Sequence, residues 1–495
     1  MAVNQTLTHS APHHLVWLRT DLRLTDNRAL HAACADPNAC VSLLFIATPV
    51  QWQSHDMAPR QAEFIRQNLC LLALEAAKRN LGFVYREVPD FAAIPAMLQQ
   101  LLDEFGITHL YANRQYELNE QRRDSQVSAL LHDRLPVIWC DDALLTAPGS
   151  VRTGQGEMYK VYTPFRRALL EQLPHRDTAS LPAPACRASW MTTCPAESIE
   201  PFSYPCQDNP LFVAGEAAAL QRLRTFCQQQ VVHYHELRDC PALPATSLLS
   251  AYLTCGVLSV RQCLNRLRLE HPHTYLQPES GAFSWLNELI WREFYHHLLA
   301  AFPDLCRGRP FIPWAHHIHW SADLQHFQAW QTGQTGYPIV DAAMRQLNQT
   351  GWMHNRLRMI SAGFLVKDLL LNWRWGERYF MSQLVDGSLA ANNGGWQWSA
   401  STGTDAAPYF RIFNPTTQGE RFDPEGQFIR QWIPELAVVP ERWVHHPHAW
   451  AAQQGVMLDY PQPLVEHASA RKQTLAAYEM ARSLFSASAC SAPKQ

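Results

Sequence analysis

From residue 14 to about residue 145 the chain alternates short continuous apolar runs with longer stretches whose apolar positions recur every third or fourth residue. HLVWLR at His14, VSLLFIA at Val41, GFVYREV at Gly82, ITHLYAN at Ile107 and VIWCDD at Val137 predict strands, and RQAEFIRQNLCLLALEAAKRN from Arg60 predicts a helix between two of them. Continuous apolar strands are buried on both faces, and alternation with helices builds a parallel, doubly wound sheet. No Gly-x-Gly-x-x-Gly follows the first strand; RTDLRLTDN stands there, which disfavours a nicotinamide-type dinucleotide site.

The pattern then changes twice. Residues 174 to 215 hold seven prolines and three cysteines with little periodicity, and this stretch is expected to be a long linker wrapping between domains. Beyond residue 216 strand patterns vanish, and AALQRLRTFCQQQVVHY, RQCLNRLRLEH, WLNELIWREFYHHLLAAF, GYPIVDAAMRQLNQTGW and NRLRMISAGFLVKDLLLNW each predict a helix. The expected organisation is an α/β domain over 14–145, a linker over 146–215 and an all-α domain over 216–481. No fixed-period repeat or low-complexity run interrupts it.

Composition sharpens the division. Of 17 tryptophans in 495 residues, 13 lie at or beyond residue 281. A net charge of -3 gives no global basic field, so any nucleic-acid partner must be met by a local patch. The 13 cysteines form no Cys-x-x-Cys pair, which suits reduced thiols in a cytosol. The opening MAVNQTLTHSAPHH is polar and no signal peptide, and no apolar run is long enough to span a membrane.

Four stretches carry candidate chemistry. TSLLS places Thr246, Ser247 and Ser250 around an expected helix start, where hydroxyls either cap the helix or hold phosphate. In WLNELIWREFY, Trp285, Glu288 and Arg292 share a helix face, with Trp291 three residues beyond Glu288. Arg292 either pairs with Glu288 at the surface, or the segment is a pocket floor with an indole for stacking and a carboxylate for a polar edge. In GWMHNRLRM, Trp352, Asn355, Arg356 and Met359 fall on one helical stripe that suits neither core nor solvent but fits a planar ligand with polar edges. An extruded nucleobase and an isoalloxazine ring both qualify. NNGGWQW, from Asn392, sets Trp396 and Trp398 two apart in a segment too rich in Asn and Gly for packing; alternation in an extended or irregular chain sends them in different directions. The clusters at His316, His317 and His319 and at His445, His446 and His448 lack acidic or thiol partners at ligand spacing, and are expected to be surface loops without metal. With no nucleophile elbow or phosphate loop, a cofactor is expected to carry the reaction.

These long motifs, in this order from HLVWLRTDLRLTDN to about Tyr478, resemble the class I cyclobutane pyrimidine dimer photolyases of bacteria, in the photolyase and cryptochrome family. The resemblance implies an antenna domain followed by a helical domain holding FAD, active as the reduced anion, and a flipped-out dimer in damaged DNA as substrate. It places flavin contacts at Tyr234, Thr246, Ser247, Leu248, Leu249, Ser250, Arg292, Asn355, Asp386, Gly387, Ser388 and Asn392. Lesion and DNA contacts fall on Arg238, Glu288, Trp291, Asn355, Arg356, Met359, Trp398 and Gln418, with Glu288 bonding the dimer's bases and Arg238 and Arg356 holding flanking phosphates. An electron chain runs through Trp396, Trp373 and Trp320. Asn392 sits at the flavin ring, where the glycines after it let backbone and cofactor approach. Asn119, Glu120, Cys306 and Arg307 match the antenna site, expected to take methenyltetrahydrofolate, with a deazaflavin as the alternative. A bacterial cytosolic monomer is implied, meeting the nucleoid at damaged DNA.

Three positions depart from the family pattern. Leu248 stands where a basic residue is usual, Ser388 replaces an acid, and Arg307 replaces a lysine. A (6-4) photolyase would need histidines where Asn355 and Met359 stand. A cryptochrome photoreceptor of plant type would place an acid at Asn392 and carry a long tail.

Overall fold

The structure is a computed structural model that describes residues 11–188 and 199–491, with side chains described to residue 488. Most of the polar opening and the centre of the expected linker lie outside the described residues.

All five expected strands form: β1 (His13–Leu18), β2 (Cys40–Ala47), β3 (Gly82–Glu87), β4 (His109–Asn113) and β5 (Val137–Cys140). They make one parallel sheet in the order β3-β2-β1-β4-β5. Every residue of β1 and β2 is buried, as strands covered on both faces require. The order in which successive strands are added reverses at β1, between β2 on one side and β4 on the other, and in such sheets ligands collect at the carboxyl ends of the strands beside that switch.

RTDLRLTDN, the loop that leaves β1, is an interdomain clasp. Arg23 and Asp26 lie within it, Asp142 follows β5, and Arg261 comes from helix Val260–Glu270 of the second half. Arg261 Nη2 is 2.6 Å from Asp142 Oδ1 and its Nε is 3.1 Å from Asp26 Oδ2, while Arg23 also bonds Asp142. All four side chains are buried, so each charge depends on the others being in place. Glu293 works in parallel: its carboxylate accepts the backbone N–H groups of Leu145 at 2.8 Å and Thr146 at 3.3 Å, joining the end of the α/β part to helix Gly281–Ala301. One hydrophobic cluster accordingly runs from Val16 and Val41 through Tyr252 to Trp285 and Phe294.

The described part of the expected linker touches both halves: Arg187 donates to the carbonyls of Asp36 and Ala39 and Leu181 N to Asp26 Oδ1, whereas helix Tyr162–Gln172 packs on the second half, Tyr162 donating to Asn287 O at 3.0 Å. The second half is helical, with a second core around Trp330, Trp373 and Trp396. Two expected helices are broken by π turns, at Phe226–Gln230 and Phe364–Asp368. No helix among the described residues is long and apolar enough to cross a membrane. The eleven cysteines with described side chains are free thiols.

Candidate functional site

Helix Gly281–Ala301 carries the centre of the site. Ser280 caps it by accepting Phe283 N at 2.9 Å. Trp285 turns inward, nearly fully buried, whereas Glu288, Trp291 and Arg292 are half-buried. Glu288 does not pair with Arg292: Arg238 Nη1 lies 2.5 Å from Glu288 Oε1, and Arg292 donates to Ala143 O at 2.9 Å. The two share a helix face, but each is drawn to a partner off the helix, Glu288 to Arg238 and Arg292 to the end of the α/β part, so the surface pair does not form. Burial pushes the Glu288 carboxyl up, against the opposing pull of Arg238.

The second wall is helix Asn355–Gly363, capped by His354, whose Nδ1 accepts Arg356 N at 3.2 Å. Burial pushes His354 down to about 4, so the cap is a neutral imidazole. Trp352 is not on this helix, contrary to the stripe expected for it: Gly351, at φ +69, ends the preceding helix Pro338–Thr350, and Trp352 lies in the connection. Asn355 is exposed at the helix start and Met359 is half-buried. Arg356 grips Asp239 with two bonds, Nε to Oδ1 at 3.2 Å and Nη2 to Oδ2 at 2.8 Å, and its guanidinium stands 4.5 Å over Phe422. Phe422 ends helix Pro415–Phe422, which carries the half-buried Gln418.

The third wall corrects an expectation. NNGGWQW is a helix, Leu389–Ser399, rather than an extended segment. Positions two apart on a helix differ by about 200° in direction, so Trp396 and Trp398 still diverge. Trp396 is buried against Phe380, ring centroids 4.9 Å apart, and Trp330 at 6.1 Å. Trp398 shares a cleft of about 30 Å³ with Trp291, Tyr295 and Asp405. Gly394 brings this helix against the first: a Cβ there would stand 2.2 Å from Tyr295 Cδ1. A Cβ at Gly395 would meet no protein atom within 4 Å, so of the two glycines only Gly394 is required by helix contact. Asn392 Nδ2 donates to Glu377 O at 2.8 Å. Trp373 is buried in the same core as Trp396, and Trp320 lies half-buried at its edge with Tyr478 edge-on at 6.1 Å.

The turn before the short helix Ser250–Thr254 holds the next group. Arg222 clamps it by donating to Ser247 O at 2.8 Å and Thr246 O at 3.0 Å, and Leu248 takes φ +50. The hydroxyls of Thr246, Ser247 and Ser250 form no hydrogen bond among the described residues. Leu249 is buried, as is Tyr234, whose ring lies 5.9 Å from the Arg238 guanidinium. Asp386 is buried: Oδ2 takes Arg358 at 2.8 Å, but Oδ1 has no partner among the described residues. Free hydroxyls, a buried acceptor lacking a donor, and the Arg292 cation fit a dinucleotide with ribose hydroxyls and phosphates. Leu248 contributes no charge to that set, and Ser388 caps its helix without a side-chain bond.

A cavity of about 520 Å³ opens at the carboxyl ends of the strands, between the two parts. Arg292, Gly387 and Ser388 line one side, and Asn119, Glu120 and Cys306 another. Asn119 Nδ2 is 3.2 Å from His55 Nε2, and burial beside Glu117 pushes Glu120 up to about 7. Arg307 does not line this cavity; it pairs with Asp304 at 2.9 Å on the surface. The second histidine cluster is only partly superficial: His445 is buried against Gly419, His446 bonds Glu420 at 3.0 Å and His448 bonds Pro461 O at 2.8 Å.

Three residues escaped the sequence reading. Tyr162 stacks on Trp291 at 3.6 Å with a 5° interplanar angle, Asp239 binds Arg356, and Arg358 binds Asp386. Asp239 adjoins Arg238, and Arg358 lies within GWMHNRLRM, so both sat beside residues already singled out. Tyr162 had no local signal.

Comparison with known proteins agrees with this architecture. Residues 14–185 match the DNA photolyase domain family, and residues 285–480 match the FAD binding domain of DNA photolyase. The chain belongs to the DNA photolyase family. It is 56% identical over 475 residues to the deoxyribodipyrimidine photo-lyase of Escherichia coli, covering 95% of this chain and 99% of that protein. A class III photolyase from Agrobacterium tumefaciens superposes with a TM-score of 0.82 at 34% identity, over 97% of this chain and 100% of the other. A Synechocystis cryptochrome superposes with a TM-score of 0.83 at 25% identity, over 95% and 100%. Fold alone therefore does not separate repair enzymes from photoreceptors.

Proposed function

We infer that this chain repairs cyclobutane pyrimidine dimers in DNA with light, as a deoxyribodipyrimidine photo-lyase. The observation that carries the reading is a cleft lined by both Trp291 and Trp398, with Glu288, ion-paired to Arg238, on the same helix as Trp291, in a chain 56% identical to such an enzyme. A reduced FAD held by residues such as Tyr234, Asp386 and Arg292 would, when photoexcited, supply the electron for ring opening and take it back, a redox-neutral cycle overall.

The chain's own residues prepare that exchange. Trp291 and Trp398 offer aromatic faces to the extruded bases. Glu288 meets their polar edge through hydrogen bonding. Arg238, Arg356 and Gln418 position the strand, and phosphate contacts of this kind make binding fall with salt. Asn355 and Met359 leave the pocket without the imidazole acid that a (6-4) lesion requires. Tyr234, the Thr246–Ser250 turn, Asp386, Gly387 and Arg292 hold the dinucleotide, and Asn392 faces its ring. Trp396, Trp373 and Trp320 run from the buried core to its edge and would relay inward to a bound flavin an electron taken from an external reductant at the surface.

We assign methenyltetrahydrofolate to the cavity lined by Asn119, Glu120 and Cys306, with Arg307 taking no part. A deazaflavin is the alternative that chromophore extraction distinguishes. The protein is assigned to the cytosol as a monomer. Purified protein in its reduced form should clear dimers from an oligonucleotide in light and not in darkness; a photoreceptor would bind flavin, respond to light and clear none.

A further inference from the structure

Four charges stand in a row along the partly exposed rim that begins at Glu288, one turn from Trp291: Glu288, Arg238, Asp239 and Arg356. Arg238 Nη1 is 2.5 Å from Glu288 Oε1, and its Nε is 4.0 Å from Asp239 Oδ1. Asp239 takes Arg356 through both oxygens, at 3.2 and 2.8 Å. The signs alternate, so the row is neutral although half of it is arginine. Side-chain exposures of 29, 32, 33 and 17% in that order keep all four within reach of a polyanion. Three of the four already have tasks; Asp239 has none, and a carboxylate at a DNA-binding rim opposes DNA.

We propose that Asp239 is a specificity-determining residue: it holds Arg238 and Arg356 neutralised against intact DNA, so that binding becomes favourable only when a dimer enters the cleft. The proposal rests on the reading of Arg238 and Arg356 as phosphate contacts. Non-specific binding to a duplex comes from cations displacing counterions at phosphates. An arginine already paired with a fixed carboxylate gains little from a phosphate, because the carboxylate repels it at the same distance. Intact DNA offers the rim nothing else. A flipped dimer also offers aromatic area to Trp291 and Trp398 and a polar edge to Glu288. When Glu288 turns to that edge, Arg238 loses its partner and is free for a flanking phosphate. Asp239 stays on the Nε and Nη2 edge of Arg356, leaving Nη1, which bonds nothing among the described residues, to face the backbone.

The test is a salt series of dissociation constants for the FAD-loaded protein on an undamaged duplex and on the same duplex with one thymine dimer. The variants are Asp239→Asn, Asp239→Ser and Arg356→Gln, with flavin absorbance and melting temperature checking that each is folded. Both Asp239 variants should bind undamaged duplex about fivefold more tightly, the upper range for an exposed ion pair. Their salt slope should steepen by about one ion, roughly 0.9 in log-log units. Dimer binding should change less, so discrimination falls. If Arg356→Gln lowers the slope while both Asp239 variants leave undamaged binding unchanged or weaker, the phosphate reading stands and the role of Asp239 is overturned. If Arg356→Gln leaves the slope untouched, the phosphate reading fails and takes this inference with it.

Discussion

Arg238 Nη1 lies 2.5 Å from Glu288 Oε1, tying the turn after Tyr234 to the middle of helix Gly281–Ala301. The pair joins the carboxylate assigned to the lesion with a cation assigned to its backbone, so substrate engages both by replacing one bond. Glu288→Ala should therefore separate the two kinds of DNA. Affinity for dimer-containing DNA should fall by about 1.5–3 kcal/mol, the range for a hydrogen bond to a charged group. Affinity for undamaged DNA should hold or rise, since Arg238 is released. Equal losses on both, measured by titration, would contradict the assignment.

Tyr162 covers one face of Trp291 at 3.6 Å, leaving the indole only its other face and edges for a ligand. Tyr162→Leu keeps an apolar side chain there and removes the stack. Dimer affinity should drop by about 0.5–1.5 kcal/mol, the worth of an aromatic pair, with little change on intact DNA. An unchanged dissociation constant would show that Trp291 needs no backing.

Trp396 is pinned by Gly376, where a Cβ would stand 2.0 Å from Trp396 Cη2. Trp396→Phe should slow photoreduction of oxidised flavin and leave repair by chemically reduced protein largely intact. Gly376→Ala should cost about 1–3 kcal/mol by overpacking and also disturb photoreduction although the tryptophan is still present. Equal loss of photoreduction and repair in Trp396→Phe would remove it from the electron route.

The strands were legible because each is a continuous apolar run, which needs no knowledge of partners. Helix Leu389–Ser399 was not: two Asn and two Gly argue against a helix locally, and packing of Gly394 on Tyr295 overrides that preference. Glu288, Trp291 and Arg356 announced themselves as polar or aromatic residues misplaced on their helix faces, but their partners did not. Arg356 meets Asp239 across 117 positions, and periodicity carries no information over that distance. Gly351 shows the finer limit, since a helix end there moved Trp352 off a stripe that the spacing alone supported.

Burial pushes Glu377 up to about 7 from an ordinary value of 4.5, and its Oε1 accepts Asn393 Nδ2 at 2.7 Å. The folded state thus holds this proton more tightly than the unfolded chain. The resulting stability is complete below about pH 4.5 and is lost as pH rises through 7. Glu377→Gln is neutral throughout, so in urea titrations its stability relative to the parent should improve from pH 5 to pH 8. A relative stability that falls with rising pH would contradict the raised value.

Under light the protein is expected to convert dimers to pyrimidines beside Trp291 and Trp398. The most direct measurement of that conversion is the 260 nm absorbance of a thymine-dimer oligonucleotide mixed with the reduced, FAD-loaded protein, because splitting the ring restores the absorbing C5=C6 bonds. Absorbance should rise under near-ultraviolet light, stay flat in darkness, and rise much more slowly with Glu288→Ala. A reduced, flavin-loaded protein that binds the oligonucleotide yet leaves its absorbance flat under illumination would contradict the repair reading.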